Sequence, residues 1–157
     1  MVAKKTRFSG FKTASGASIG KRATKILACE FCNFMQIYKK AEGLNTGSTC
    51  PRCACKTLRV FDSKAEASYA GELRLMAKTG KIKNIMYQVP FDLHAPDLAN
   101  PNKPIFLYKY IADFTYEDVN GGFHVIDVKG KAISPEAKMK IAHAEAEYNI
   151  DIELVVR

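Results

Sequence analysis

Two groups of residues in this chain have the types and the spacing to do chemistry. The first is Cys29-Glu30-Phe31-Cys32, then seventeen residues, then Cys50-Pro51-Arg52-Cys53. A C-x-x-C turn aims two thiolates at one point, and nearby backbone N–H groups soften the sulfur charge. Two such turns brought together by a hairpin close a tetrahedron around Zn²⁺. Cys29, Cys32, Cys50 and Cys53 are therefore expected to hold one structural zinc. The competing reading is two buried thiol pairs without metal. Thioredoxin-like redox chemistry fits less well, because it needs one C-x-x-C beside a βαβ unit. Cys55 breaks the pattern. It competes with Cys53 as a ligand, but C-x-x-C geometry favours Cys53 and leaves Cys55 a spare thiol. A closed four-cysteine site is structural, so bond-breaking chemistry has to be sought elsewhere.

The second group is acidic. Asp113 stands in Tyr-Ile-Ala-Asp-Phe, and Asp127 and Lys129 stand in Val-Ile-Asp-Val-Lys-Gly. Their apolar neighbours make these charges costly unless they are paired or used. Period two puts Asp127 and Lys129 on one face of a strand. A hairpin closed by Asn120-Gly121-Gly122 has a constant index sum for its partners. A sum of 242 sets Asp113 opposite Lys129 with Asp127 diagonal, whereas a sum of 241 turns Asp113 to the other face unless a bulge intervenes. The competing reading is an Asp–Lys pair on a solvated sheet face. A third acid, Glu66, follows Ser63 at capping-box spacing. Placed at 100° steps, it falls inside the apolar arc of Tyr69, Ala70, Leu73, Met76 and Ala77. Either it folds back on the Ser63 N–H, or it is a ligand or base at the mouth of a site. Glu72, at the edge of the arc, competes with it. His94, His124 and His143 have no paired spacing and are expected to be surface or core residues.

The elements that must position these groups form three segments. Residues 1–24 are rich in Gly, Ser, Ala, Thr and Lys without an apolar period, and are expected to be a flexible basic arm. Residues 25–59 hold all five cysteines. Phe34 to Tyr38 read as a strand, residues 43–48 as a turn, and Leu58 and Val60 continue beyond the second knuckle. This is a zinc ribbon whose small apolar content leaves much of its stability to the metal. Residues 60–157 read as one α/β unit: a helix from Ser63 to about Lys78, and a strand over 82–93 interrupted near Pro90. A loop over 94–104 follows, then strands over 105–116 and 122–128, a helix opened by Ser134-Pro135-Glu136, and a strand over 150–156.

Glu66 on a first helix, Asp113 on a strand and Asp127-Val128-Lys129 on the next resemble the PD-(D/E)xK nuclease superfamily. The likeness covers about residues 61–156 and is greatest to small phage-encoded nucleases, with relatives among Holliday junction resolvases and restriction enzymes. Ala112 stands where the proline of the motif's name would be. The resemblance implies a restriction-endonuclease-like α/β core: helix, three strands, helix, strand, with a mixed sheet, beside the zinc ribbon. It implies that Asp113, Asp127 and the Val128 carbonyl bind Mg²⁺ or Mn²⁺, and that Glu66 holds the metal or a water. Lys129 would orient or deprotonate an attacking water, and Gln88 would stand nearby. It further implies hydrolysis of DNA phosphodiester bonds, in processing or recombination, and commonly a homodimer.

Composition bears on the partner. Of the formal net charge of +8, residues 1–25 contribute +7, and residues 61–157 are slightly acidic. Such asymmetry points to a phosphate-bearing partner, DNA above all, although a solvated tail would carry the same charges. No run of 18 apolar residues offers a membrane span and no apolar leader is evident, so a reducing cytoplasm, that of a host cell for a phage protein, is expected. The second function class is a non-catalytic zinc-ribbon protein that binds nucleic acid on a nuclease-like fold.

Overall fold

The computed structural model describes residues 24–32, 34–130 and 133–157. The expected basic arm thus lies almost wholly outside the described residues. The chain is mixed α/β, with two helices and two sheets. Strands β1 (Ile26–Cys29), β2 (Met35–Ile37) and β3 (Leu58–Phe61) form an antiparallel sheet in the order β2-β1-β3. Helix α1 (Lys64–Lys78) follows, then β4 (Ile82–Ala95), β5 (Ile105–Asp118), β6 (Phe123–Lys129), helix α2 (Pro135–Tyr148) and β7 (Ile152–Val156). The second sheet runs β4-β5-β6-β7 and is mixed, because β7 returns through α2 to lie parallel to β6.

Local chemistry accounts for the helix starts. The Ser63 hydroxyl accepts from the Glu66 N–H at 3.1 Å, and the Ser134 hydroxyl accepts from the Ala137 N–H at 3.1 Å. Proline opens α2, where a missing N–H costs nothing, and Asn149 closes it in the left-handed region at φ 51°. Helix α1 packs Ala67, Ala70 and Leu73 against Phe114, Ile126 and Val128 on one face of the large sheet, and Ile26, Ala28 and Phe61 from the small sheet complete that core. Helix α2 packs Ile141 and Ala144 against Phe91, Tyr110, Ala112, Val125 and Ile152 on the other face.

Several expectations are corrected. Strand β4 does not break at Pro90, which sits in register with Ile111. Strand β4 is an edge strand, so proline can point its missing N–H away from the ladder. The irregularities lie instead at Asn84 and Gln88, with φ of 54° and 52°. The β5–β6 hairpin has an index sum of 240, not 242, as in Thr115↔Val125 and Tyr116↔His124. Asp118 and Gly122 close a three-residue loop of Val119, Asn120 and Gly121, with Gly121 at φ 83°. Strand β1, which was not expected, is buried at all four residues because it is the central strand of its sheet. The final strand begins at Ile152 rather than Ile150.

The two strands of the β4–β5 hairpin change faces together. Ile85 and Tyr87 join the α1 core, whereas Val89, Phe91 and Leu93 join the α2 core, although all are odd-numbered. On β5, Phe114 and Tyr116 join the α1 core, whereas Tyr110 and Ala112 join the α2 core. Tyr87↔Phe114 and Val89↔Ala112 keep one register across the change. Both strands therefore rotate at the intervening position, where Gln88 meets Asp113. The left-handed backbone of Gln88 permits it.

Candidate functional site

Pairing of β5 with β6 begins at Phe114↔Ile126, so the strands part at Asp113. There the Asp113 side chain replaces the ladder: its Oδ2 accepts from the Val128 N–H at 2.7 Å, and its Oδ1 accepts from the Gln88 side-chain amide at 3.1 Å. A strand residue's N–H and C=O point the same way, so the Val128 carbonyl also faces this opening. By the observed register Asp113 comes opposite Asp127, not Lys129 as a sum of 242 required. Asp127 is 2% exposed. It accepts from the Tyr110 hydroxyl at 3.1 Å and pairs with the Lys129 ammonium at 2.7 Å.

Glu66 approaches from α1. It is 7% exposed, and its carboxylate takes the Asp62 N–H at 3.2 Å and the Ser63 hydroxyl at 2.8 Å. The reciprocal cap thus lands on the Asp62 N–H rather than on that of Ser63. Glu72, the other helix-borne acid, is exposed and forms a bidentate pair with Arg157 at 2.5 and 2.6 Å.

Electrostatics in this cluster follow from burial and like charge. Burial, with the charges of Glu66 and Asp127 added, pushes the Asp113 carboxyl up to about 7 despite the Val128 N–H, which acts the other way. Burial likewise raises Glu66 above the usual carboxylate range, although its Ser63 and Asp62 hydrogen bonds and the nearby Lys129 oppose this. Burial and the Asp127 charge hold Tyr110 as a neutral phenol that donates to Asp127. Glu66, Gln88 and Asp113 line a cavity of about 240 Å³ together with Asp62, Thr46, Arg59 and Tyr87. Asp127 and Lys129 stand behind Asp113 rather than on the cavity surface. The carboxyls of Asp113 and Glu66, with the Val128 carbonyl and the Gln88 carboxamide, make an all-oxygen donor set of the kind that suits a hard divalent cation.

The thiols form a second centre. The four ligand atoms of Cys29, Cys32, Cys50 and Cys53 lie within 4.8 Å of one another, making a cluster able to hold a metal such as zinc. Among the described residues no other group of three or more acidic, histidine or cysteine side chains is so compact, the carboxylates of Glu66, Asp113 and Asp127 being more widely spaced. Backbone N–H groups of Phe31 and Cys32 point at the Cys29 sulfur at 3.3 and 3.4 Å, and that of Arg52 at the Cys50 sulfur at 3.4 Å. Burial alone would raise the Cys29 thiol, but the Thr57 hydroxyl and these N–H groups bring it down to about 6. The Cys55 N–H favours the Cys53 thiolate, yet burial and the three neighbouring sulfurs push Cys53 up to about 12. A cation resolves this repulsion. Cys55 is outside the cluster, and its carbonyl accepts from the Cys50 N–H at 2.8 Å.

The histidines lie elsewhere. His124 bridges Glu153 and Asp118 at 2.6 and 3.2 Å, and His94 and His143 share Glu147 at 2.8 and 3.4 Å. Sequence reasoning did not single out Tyr110, Thr57 or Arg59. Nothing in their local spacing ties them to a site, and only the sheet register brings them in. No helix among the described residues is long and apolar enough to cross a membrane.

A family model described as "Protein of unknown function (DUF1064)" matches residues 55–157, about two thirds of the chain. It begins just after the last cysteine of the cluster and takes in Glu66, Gln88, Asp113, Asp127 and Lys129. No curated protein matches, and no solved structure does.

Proposed function

The chain belongs to the DUF1064 family, and from the chemistry of its site we propose that it is a metal-dependent endonuclease acting on DNA. The observation that carries this reading is the meeting of Asp113 and Asp127 where β5 and β6 part, with Lys129 at 2.7 Å from Asp127 and Glu66 approaching from α1. Asp113, Asp127 and the Val128 carbonyl would hold Mg²⁺ or Mn²⁺, with Glu66 bound to it or to one of its waters. The cation would supply charge neutralisation at the phosphodiester and would activate water.

The chain's own residues do the rest. Tyr110 donates to Asp127 and fixes its orientation. The Val128 N–H and Gln88 fix Asp113. Lys129, paired with Asp127 at 2.7 Å, would orient or deprotonate the attacking water and offset the charge that develops on the phosphate. The basic N-terminal residues would supply the electrostatic part of DNA binding. A restriction-endonuclease-like core fits the order helix, three strands, helix, strand.

Nicking of supercoiled plasmid and cleavage of linear and branched DNA in Mg²⁺ or Mn²⁺ test the proposal. Asp127→Ala is expected to abolish cleavage. Lys129→Ala is expected to lower it by about 10²–10⁴-fold, the usual contribution of a positioned proton-transfer group. DNA binding should survive both. Wild-type rates in both variants, or no cleavage by the parent protein in either metal, would leave a nucleic-acid-binding protein on the same fold.

A further inference from the structure

The cysteine-bearing segment contributes Thr46 and Arg59 to the cavity that the acids line. Arg59 lies on β3, paired with Ala28 of β1. Its guanidinium lies over the Tyr87 ring at 3.9 Å, and its Nε donates to Glu30 at 2.5 Å. Glu30 sits between the two cysteines of the first knuckle, and its own N–H is tied to the Thr57 carbonyl at 2.7 Å. A guanidinium stacked on one face and bonded at Nε cannot rotate. Its two terminal nitrogens make no hydrogen bond among the described residues, and Arg59 lines the same cavity as Glu66, Gln88 and Asp113.

We infer that Arg59 is a substrate-binding residue of this site, a preset fork for a backbone phosphate of DNA, carried into place by the cysteine knuckle through Glu30. The chemistry argues for phosphate. Planar bidentate donors match two phosphate oxygens, and stacking fixes the plane before binding, so little side-chain freedom is lost. Asp62, Glu66 and Asp113 line the same cavity and would repel a phosphate that no cation shielded. A guanidinium and a cation site lining one cavity are two supports for a phosphate strand that enters it. Glu30 leaves the fork open: its half-buried pair with Arg59 occupies only Nε and neither terminal nitrogen. The knuckle is thereby a part of the substrate site.

This inference rests on the nuclease reading for the identity of the substrate, and its test is separable from it. Binding of a 20-base-pair duplex to the full-length, metal-loaded chain is followed by anisotropy in Ca²⁺, across a range of salt. Arg59→Gln is expected to weaken binding about tenfold or more, the worth of a charge-assisted hydrogen bond, and to lower the log–log salt slope by about 0.9 for one lost phosphate contact. Millimolar inorganic phosphate should not mimic the loss, because a lone ion lacks the strand's other contacts. Arg59→Lys keeps the charge and loses the fork. It is expected to keep the slope and lose affinity severalfold, and it serves as the test if the glutamine variant loses its metal or its melting temperature. In cleavage, Arg59→Gln should raise KM while kcat holds. Wild-type affinity and slope in both variants overturn the assignment. Failure of the parent chain to cleave sinks the nuclease reading alone and leaves the binding result to decide Arg59.

Discussion

Asp113 is the residue on which the site's physics concentrates. Its carboxyl is pushed up to about 7 from an ordinary value of 3.8, first by burial and then by the charges of Glu66 and Asp127. A carboxyl raised in the folded state favours folding while it is neutral. The stabilisation is full below about pH 3.8 and is lost as pH rises through about 7. The metal-free protein should therefore lose melting temperature between about pH 4 and pH 7, and Mg²⁺ should restore it most above about pH 7, where the carboxylate is ionised. Asp113→Asn should flatten both dependences. Melting curves at a series of pH values, with and without Mg²⁺, measure this, and a Mg²⁺ effect that persists in the Asn variant would show that the ion sits elsewhere. The acids were legible in the sequence as charges with no reason to lie in apolar strands. Their partners were not. Tyr110 reaches Asp127, and Gln88 reaches Asp113, only because two strands rotate together, and no local pattern encodes that rotation.

At the scale of elements, helix starts were legible because Ser63 and Ser134 advertise them, and the hairpin because of its glycines. Strand β1 was not. Three apolar residues running straight into Cys29 show no alternation, since a central strand is covered on both faces. Its burial has an energetic consequence. Ile26, Ala28 and Phe61 of the small sheet share a core with Ala67, Ala70 and Leu73 of α1. Loss of the cysteine cluster should therefore spread to α1. Zinc should be stoichiometric in natively purified protein. In Cys50→Ser, amide exchange should become fast in β1, β2 and β3 and faster in α1, while β5 and β6 remain protected. Unchanged exchange in the small sheet would show that packing, not a metal, holds the cysteines together.

Across the whole molecule, the basic charge and the acidic candidate site are segregated. Six of the basic residues lie in residues 1–23, ahead of a body whose site is acidic. Deleting residues 1–23 should lower the salt slope of DNA binding by up to about 5, if all six meet phosphates, and leave the rate at saturating DNA unchanged. An unchanged slope would make the segment a solubility tail. The large sheet itself is open at both ends, with the 14-residue β4 at one edge and the 5-residue β7 at the other. A flat edge of β4's length is a template on which another chain can add a strand. Pro90 offers no donor there, and the left-handed backbone at Asn84 and Gln88 breaks the remainder into short, twisted runs. The rotation that seats Asp113 in its cavity thus also guards the molecule against growth into fibrils, so a variant that straightens β4 would forfeit solubility along with its site.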